Sequence, residues 1–188
     1  MTIASALRSG TQKLSGSSDA PHLDAERLLL HVIGRSESAW LYAHKDVTLS
    51  SSTEKQFAAL LERRHTGEPL AYLLGEWEFL GRPFWVTPDV LIPRPETENL
   101  VEAALRYIET LHQQQIIIAD IGTGSGCIAV TLACELAKVK CIATDISPTA
   151  LAVARKNAER HGVADRIEFV EGDMLQPFDF AQGKPLMI

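Results

Sequence analysis

The stretch from Ile116 to Ala133, IIIADIGTGSGCIAVTLA, decides how this chain is read. Four apolar residues run into Asp120. Gly122, Gly124 and Gly126 then alternate with Thr123 and Ser125, and an apolar segment of helical character follows. Three glycines fall within five residues where a backbone must turn tightly or where another group comes very close to it. A strand, a glycine turn and a helix, in that order, place backbone N–H groups at the carboxyl end of a parallel sheet, where ligands bind.

The residues that follow keep the same grammar. KCIATDI reads as a second strand and RIEFVEGDM as a third. Between them SPTALAVARKNAERHG reads as a helix with Ser147 as N-cap and Pro148 at its first position. Such alternation implies a parallel sheet with right-handed crossovers. Upstream, PETENLVEAALRYIETL reads as a helix whose Pro95 fits the first turn and whose Glu96 and Glu98 suit the positive end of its dipole.

The first half is different. Residues 2–15, PHLDAERLLLHVIG, SESAWLYAH and SSSTEKQFAALLERRHTG read as four short amphipathic helices, with Gly34 and Gly67 as stops. Between the halves, EWEFLGRPFWV has the pattern of a hairpin turning around Gly81-Arg82. The expected organisation is a helical domain over residues 1–68, a hairpin connector over 69–94, and an α/β domain over 95–188.

Composition narrows the function classes. The 188 residues carry a net charge of −6, with no stretch that gathers Lys and Arg, which argues against nucleic acid as a direct partner. The apolar runs LLLHVIG and IIIA are too short to span a bilayer, and the N-terminus lacks the apolar stretch of a secretory signal. Cys127, Cys134 and Cys141 form no CxxC pair and read as small buried thiols of a reducing cytoplasm; no cluster has metal-ligand spacing.

Three ligand classes compete for the glycine turn. A nucleoside triphosphate calls for GxxxxGK[ST], which is absent. A dinucleotide calls for GxGxxG or GxGxxA, and Gly124, Gly126 and Ala129 satisfy the second form. Asp120, two residues before the first glycine, discriminates: at the strand end its carboxylate would repel a pyrophosphate. S-adenosylmethionine has no phosphate, and its sulfonium and ammonium are favoured by nearby negative charge. Asp145, ending the second strand, stands at the spacing of a ribose-binding acid, although NAD sites use one there too, and a turn residue before a capped helix is the plainer alternative. Asp173 ends the third strand, where a carboxylate could accept from an adenine amino group with Met174 packing on the ring; a loop acid is the alternative.

IADIGTGSGCIAVTLA and LIPRPETENLVEAAL together resemble the HemK/PrmC-type methyltransferases, which modify a glutamine side-chain nitrogen of peptide chain release factors with S-adenosylmethionine as donor. The resemblance covers most of the chain, and the connector with IPRPETE is its specific part. It implies a Rossmann-like methyltransferase fold, here incomplete with its first three strands, preceded by a small all-α domain that binds the release factor and by the hairpin. It implies that Gly122, Thr123, Gly124, Ser125 and Gly126 cradle the methionine end of the donor. It implies that Asp145 binds the ribose, and that Asp173 and Met174 border the adenine. Many family members carry an aromatic where this chain has Met174, though a thioether also packs on a ring. Arg94 and Glu96 lie near the family's active site, with helix capping and a Pro-flanked turn as the alternative.

One departure stands out. The family's Asn-Pro-Pro-Tyr motif, at the end of its fourth strand, is absent; the chain reaches FAQGKPLMI, where a fourth strand begins. The expectation is a family member lacking its catalytic motif, inactive in transfer on its own and poorly stable unless paired. The alternatives are a binding fragment for a release factor or the donor, a methyltransferase for another amide or amino group, and an NAD-linked oxidoreductase.

Overall fold

The computed structural model describes residues 1–111, 113–173 and 186–187. The chain divides into two compact units, Met1–Leu74 and Gly75–Ile188.

The first unit is helical. It contains α1 (Ile3–Leu14), α2 (Pro21–Ile33), α3 (Ser38–Ala43), α4 (Ser51–His65) and α5 (Leu70–Leu74). Thr2 and Ser50 cap α1 and α4, their hydroxyls accepting from the Ser5 and Thr53 N–H groups, and Gly34 ends α2 in the left-handed region. The core is Ile3, Leu14, Leu28, Leu29, Leu41 and Phe57, with Leu70 and Leu73 of α5. The one-turn α5 falls in the stretch read as connector; GEPLAYLLG is too short for helical periodicity to show, and burial of Leu70, Ala71 and Leu73 is what fixes it. Two carboxylates are buried here. Asp24 accepts from the Arg64 Nε at 2.8 Å and from the Ser18 hydroxyl at 2.7 Å. Burial raises the Glu26 carboxyl, but hydrogen bonds from Ser38 and Tyr42 outweigh it and hold Glu26 below its ordinary value.

The second unit opens with a hairpin, β1 (Glu76–Phe79) and β2 (Arg82–Trp85), in antiparallel register with Phe79 opposite Arg82. Its two-residue turn is Leu80-Gly81, one residue before the expected position. Both residues have positive φ, 47° and 71°, as a turn matched to the twist of its strands requires. A leucine is costly there, and the Leu80 N–H donates to Glu98 Oε1 at 3.0 Å, pinning the turn to α6 (Pro95–Thr110).

Then come β3 (Ile116–Ile121), α7 (Cys127–Glu135), β4 (Val139–Asp145), α8 (Pro148–Arg160), a 3-10 turn (Ala164–Arg166), β5 (Ile167–Glu171) and β6 (Leu186–Met187). The α/β class holds. The sheet is parallel, in the order β5-β4-β3-β6. The described sheet thus has the three expected strands plus the start of a fourth, whose Leu186 and Met187 stand opposite Ile118 and Ala119.

One face of the sheet carries the core. Ile116, Ile118, Val139, Cys141, Ala143 and Ile167 pack with Val101 and Ile108 of α6, Val130 and Leu132 of α7, and Ala158 of α8. The hairpin adds Phe79 and Phe84, edge to face at 6.0 Å. Among the described residues the other face is partly open: Ile117 is 48% exposed, Lys140 and Glu168 are exposed, and Ile142 and Val170 are half-buried, whereas Ala119 and Thr144 are buried. IIIAD is buried at Ile116, Ile118, Ala119 and Asp120, and exposed at Ile117 alone. Among the described residues, the helices named above pack on the face of Ile116 and Ile118, and Ile117 points away from them.

Candidate functional site: the glycine turn and two strand-end carboxylates

Strand order reverses at β3: β4 and β5 lie on one side of it and β6 on the other. The crevice outside the carboxyl end of such a strand is where open parallel sheets bind ligands. The turn Gly122–Gly126 sits there. Its first two N–H groups, of Gly122 and Thr123, both donate to the Thr144 carbonyl, at 2.9 and 2.8 Å, tying the turn to β4.

The five turn residues divide into two sets. Gly122 is exposed and Gly124 half-buried, whereas Thr123, Ser125 and Gly126 are buried. A Cβ on Gly122 would meet nothing within 4 Å; one on Gly126 would come within 3.0 Å of Ala154 Cβ and 3.2 Å of its Cα. Gly122 has open space around it, and Gly126 seats the turn against α8.

Asp120 is 1% exposed. Its Oδ2 accepts from the Thr123 hydroxyl at 2.7 Å and from the Ala129 N–H at 3.2 Å, so it clamps the turn and satisfies one of the unpaired N–H groups of the first turn of α7. Burial pushes its carboxyl up to about 6, against the two hydrogen bonds, and the nearby Asp145 adds to the rise. This corrects the ligand argument: the Asp120 carboxylate points into the protein rather than at a docked ligand, and acts by shaping the turn.

Asp145 faces the other way, part-buried at the end of β4. Its Oδ2 accepts from the Gly124 N–H and its Oδ1 from the Ser147 N–H, both at 2.9 Å. One carboxylate thereby joins the two loops that border the crevice. Ser147 caps α8 as expected, its hydroxyl accepting from the Ala150 N–H at 3.2 Å. Glu171 stands opposite Asp145 in the β4–β5 register, and Asp173 lies exposed two residues beyond the strand end. Met174 lies outside the described residues. Arg94 precedes α6 without a side-chain cap bond, and Arg94 and Glu96 are both exposed. Cys127 and Cys141 are buried, and burial pushes their thiols up to about 11 and about 12, so both stay protonated.

Two residues of this site escaped the sequence reading. Ile146, directly after Asp145, is an apolar side chain left 70% exposed. A lone apolar residue after a strand-ending acid carries no pattern. Asn157 did carry a signal: it falls on the apolar stripe of α8, at helical spacing from Ala150 and Ala154, where an amide must find partners. It is fully buried and bonds both the hairpin and the turn.

No helix among the described residues is long and apolar enough to cross a membrane.

Residues 5–75 match the model of the PrmC N-terminal domain, and residues 118–185 that of a methyltransferase domain. The chain is 47% identical to the release factor glutamine methyltransferase of Nitratidesulfovibrio vulgaris, over 92% of this chain and 57% of that protein. It is 42% identical to the protein of the same name from Coxiella burnetii, over 94% of this chain and 62% of that one. The chain thus spans about three fifths of the length of these relatives. Among solved structures, an RNA methyltransferase from Salinibacter ruber in complex with S-adenosyl-L-homocysteine is 29% identical over 47% of this chain and 54% of that chain, with a TM-score of 0.40. With both of the matched regions in the order and places the fold requires, and with these identities across nearly all of its length, the chain belongs to the family of the release factor glutamine methyltransferases.

Proposed function

We propose that the crevice at the carboxyl end of β3 and β4 binds S-adenosylmethionine, and that the protein serves methyl transfer to a glutamine side-chain nitrogen of a peptide chain release factor. The observation that carries the donor reading is the pairing of an open glycine turn with Asp145, whose carboxylate joins both crevice loops beside the exposed Ile146.

The residues present fit this donor. Gly122 and Gly124 allow close approach of its methionine end. Asp145 keeps acceptor capacity for ribose hydroxyls, since each carboxylate oxygen has two lone-pair sites and uses one. Ile146 offers an apolar surface for the adenine, with Asp173 nearby at the end of β5. Asp145, Glu171 and Asp173 also gather negative charge at these strand ends, which suits a sulfonium and an ammonium and opposes a pyrophosphate. Thr123, Ser125 and Gly126 hold the turn in shape rather than touch the ligand.

When bound, the donor supplies an activated methyl group. An amide nitrogen is a poor nucleophile because resonance delocalises its lone pair. Catalysis therefore depends on groups that hold and orient the amide. The family's Asn-Pro-Pro-Tyr motif supplies them and is not among these 188 residues. For the 188-residue polypeptide we propose donor binding and release-factor recognition through the helical first unit, without transfer.

Calorimetric titration with S-adenosylhomocysteine tests the donor reading. One saturable site is expected, with no heat from NAD; binding of NAD and none of the donor product would replace this reading with an oxidoreductase. Retention of a release factor on the immobilised chain tests the partner, and failure to retain it removes that part alone.

A further inference from the structure

We propose that Asn157 is a positioning residue that couples the β1–β2 hairpin to the donor turn, so that docking of the hairpin and binding of the donor reinforce each other. The proposal rests on the donor reading above.

Asn157 is wholly buried on α8. Its Oδ1 accepts from the Trp85 N–H at 2.7 Å, and its Nδ2 donates to the Trp85 carbonyl at 3.0 Å. This reciprocal pair is the one a neighbouring strand would make, so the side chain extends the hairpin's ladder. The second Nδ2 hydrogen donates to the Ser125 carbonyl at 2.8 Å, in the middle of the glycine turn. One donor and two carbonyls leave no choice of amide orientation: reversing it would set Oδ1 against two acceptors. Trp85 thus fixes the amide, and the fixed amide holds Ser125.

Two further sets of contacts make α8 a strut. One helical turn before Asn157, Ala154 is the surface on which Gly126 sits, with no room for a Cβ between them. Beyond Asn157, the same helix grips the hairpin: Arg160 pairs with Glu76 at 3.0 Å and lies over the Trp85 ring at 4.5 Å. His161 contacts the Pro83 carbonyl at 2.9 Å. The hairpin therefore has no route of detachment that leaves the Ser125 carbonyl bonded to a fixed amide. By linkage, whatever the docked hairpin adds to donor affinity, bound donor must add to hairpin docking.

The test is amide hydrogen exchange by NMR on the 188-residue chain, with and without saturating S-adenosylhomocysteine, alongside calorimetric affinity. In the unaltered chain the ligand should slow exchange at Trp85 at least threefold, although Trp85 reaches the turn only through Asn157. Asn157→Ala should lower affinity about tenfold and abolish that slowing. Asn157→Ala removes three hydrogen bonds from the core, so Arg160→Ala is the second variant. It loosens the hairpin from the surface and touches neither Asn157 nor the turn. It should still lower affinity two- to threefold, an effect a purely structural asparagine would not predict. Ligand uptake with unchanged Trp85 exchange, or Arg160→Ala with unchanged affinity, overturns the coupling and leaves the donor site standing. No uptake by the unaltered chain overturns both.

Discussion

Alanine at Gly126 and alanine at Gly122 should fail in opposite ways. Both residues have positive φ, 79° and 75°, so each substitution forces an L-residue into the left-handed region, at about 1–2 kcal/mol. At Gly122 that is the whole cost to stability, because a Cβ there meets nothing within 4 Å. At Gly126 the Cβ would also press on Ala154, at 3.0 Å from its Cβ and 3.2 Å from its Cα. The Cα belongs to a helix and cannot rotate away, so an overpacking cost of about 1–3 kcal/mol is added. Gly126→Ala should therefore lose about 2–5 kcal/mol, and Gly122→Ala about 1–2. Urea unfolding followed by tryptophan fluorescence measures this. With Trp40 replaced by Phe throughout, Trp77 and Trp85 report on the second unit alone. Calorimetry with S-adenosylhomocysteine should show the reverse ranking per unit of stability lost. Gly122→Ala remains folded but loses at least tenfold in affinity, since its methyl group occupies the space left for the ligand. Equal destabilisation by the two substitutions would refute the assignment of Gly126 to packing and Gly122 to ligand approach.

The other predictions concern buried polar groups. Asp120 has a folded-state value of about 6 against 3.8 ordinarily, so the folded chain binds its proton more tightly; the stability it contributes is present at low pH and lost as pH rises through 6. Carbon-13 NMR should place its titration midpoint near 6, and Asp120→Asn should gain stability relative to the unaltered chain between pH 4 and 7, by about 3 kcal/mol at most. Asp145→Ala removes the acceptor for the Gly124 and Ser147 N–H groups and should weaken S-adenosylhomocysteine binding by at least tenfold, about 1.5–3 kcal/mol for hydrogen bonds to a charged group. Arg64→Ala removes the guanidinium paired with the buried Asp24, and chemical denaturation of the first unit should show a loss of about 3 kcal/mol. Thr131 has a buried hydroxyl without a partner among the described residues, so Thr131→Val should leave the melting temperature unchanged or higher.

The fold was legible where one physical signal dominates. Ser147-Pro148 marks the start of α8 because a capping hydroxyl and a ring without an N–H suit the first turn and little else. The strand–glycine–helix grammar placed β3, the turn and α7 in order. What stayed illegible depends on contacts distant in sequence. The hairpin turn slipped by one residue because Leu80 takes positive φ, with its N–H held by Glu98, eighteen positions along. The exposure of Ile117 was hidden because it is as apolar as Ile116 and Ile118; exposure there is decided by what packs on the sheet, not by the strand. The resemblance set Thr123 and Ser125 beside Gly122 and Gly124 without distinction; their burial is decided by the packing of the turn.

The two strand-end acids show why residue type alone could not settle the ligand. Asp120 and Asp145 end neighbouring parallel strands, and from the sequence each offers a carboxylate to the same crevice. Their surroundings separate them. Asp120 is enclosed by Thr123 and the start of α7, and its charge is costly enough to move its titration toward neutrality. Asp145 lies at the crevice with an acceptor site remaining on each oxygen. Asp120 is the less able to receive a ligand, and Asp145 the less able to stabilise the core. Yet both converge on the turn: Asp120 grips Thr123 from within, and Asp145 holds the Gly124 N–H from the crevice side. A ligand hydroxyl can take the remaining acceptor site, so that the carboxylate is shared between ligand and turn. The clamps at Asp120 and Asn157 are then what keep the turn in place while Asp145 is shared. The proposed binding at this crevice thus rests on inward contacts as much as outward ones, and loss of either clamp should weaken it without removing a single atom that the ligand touches.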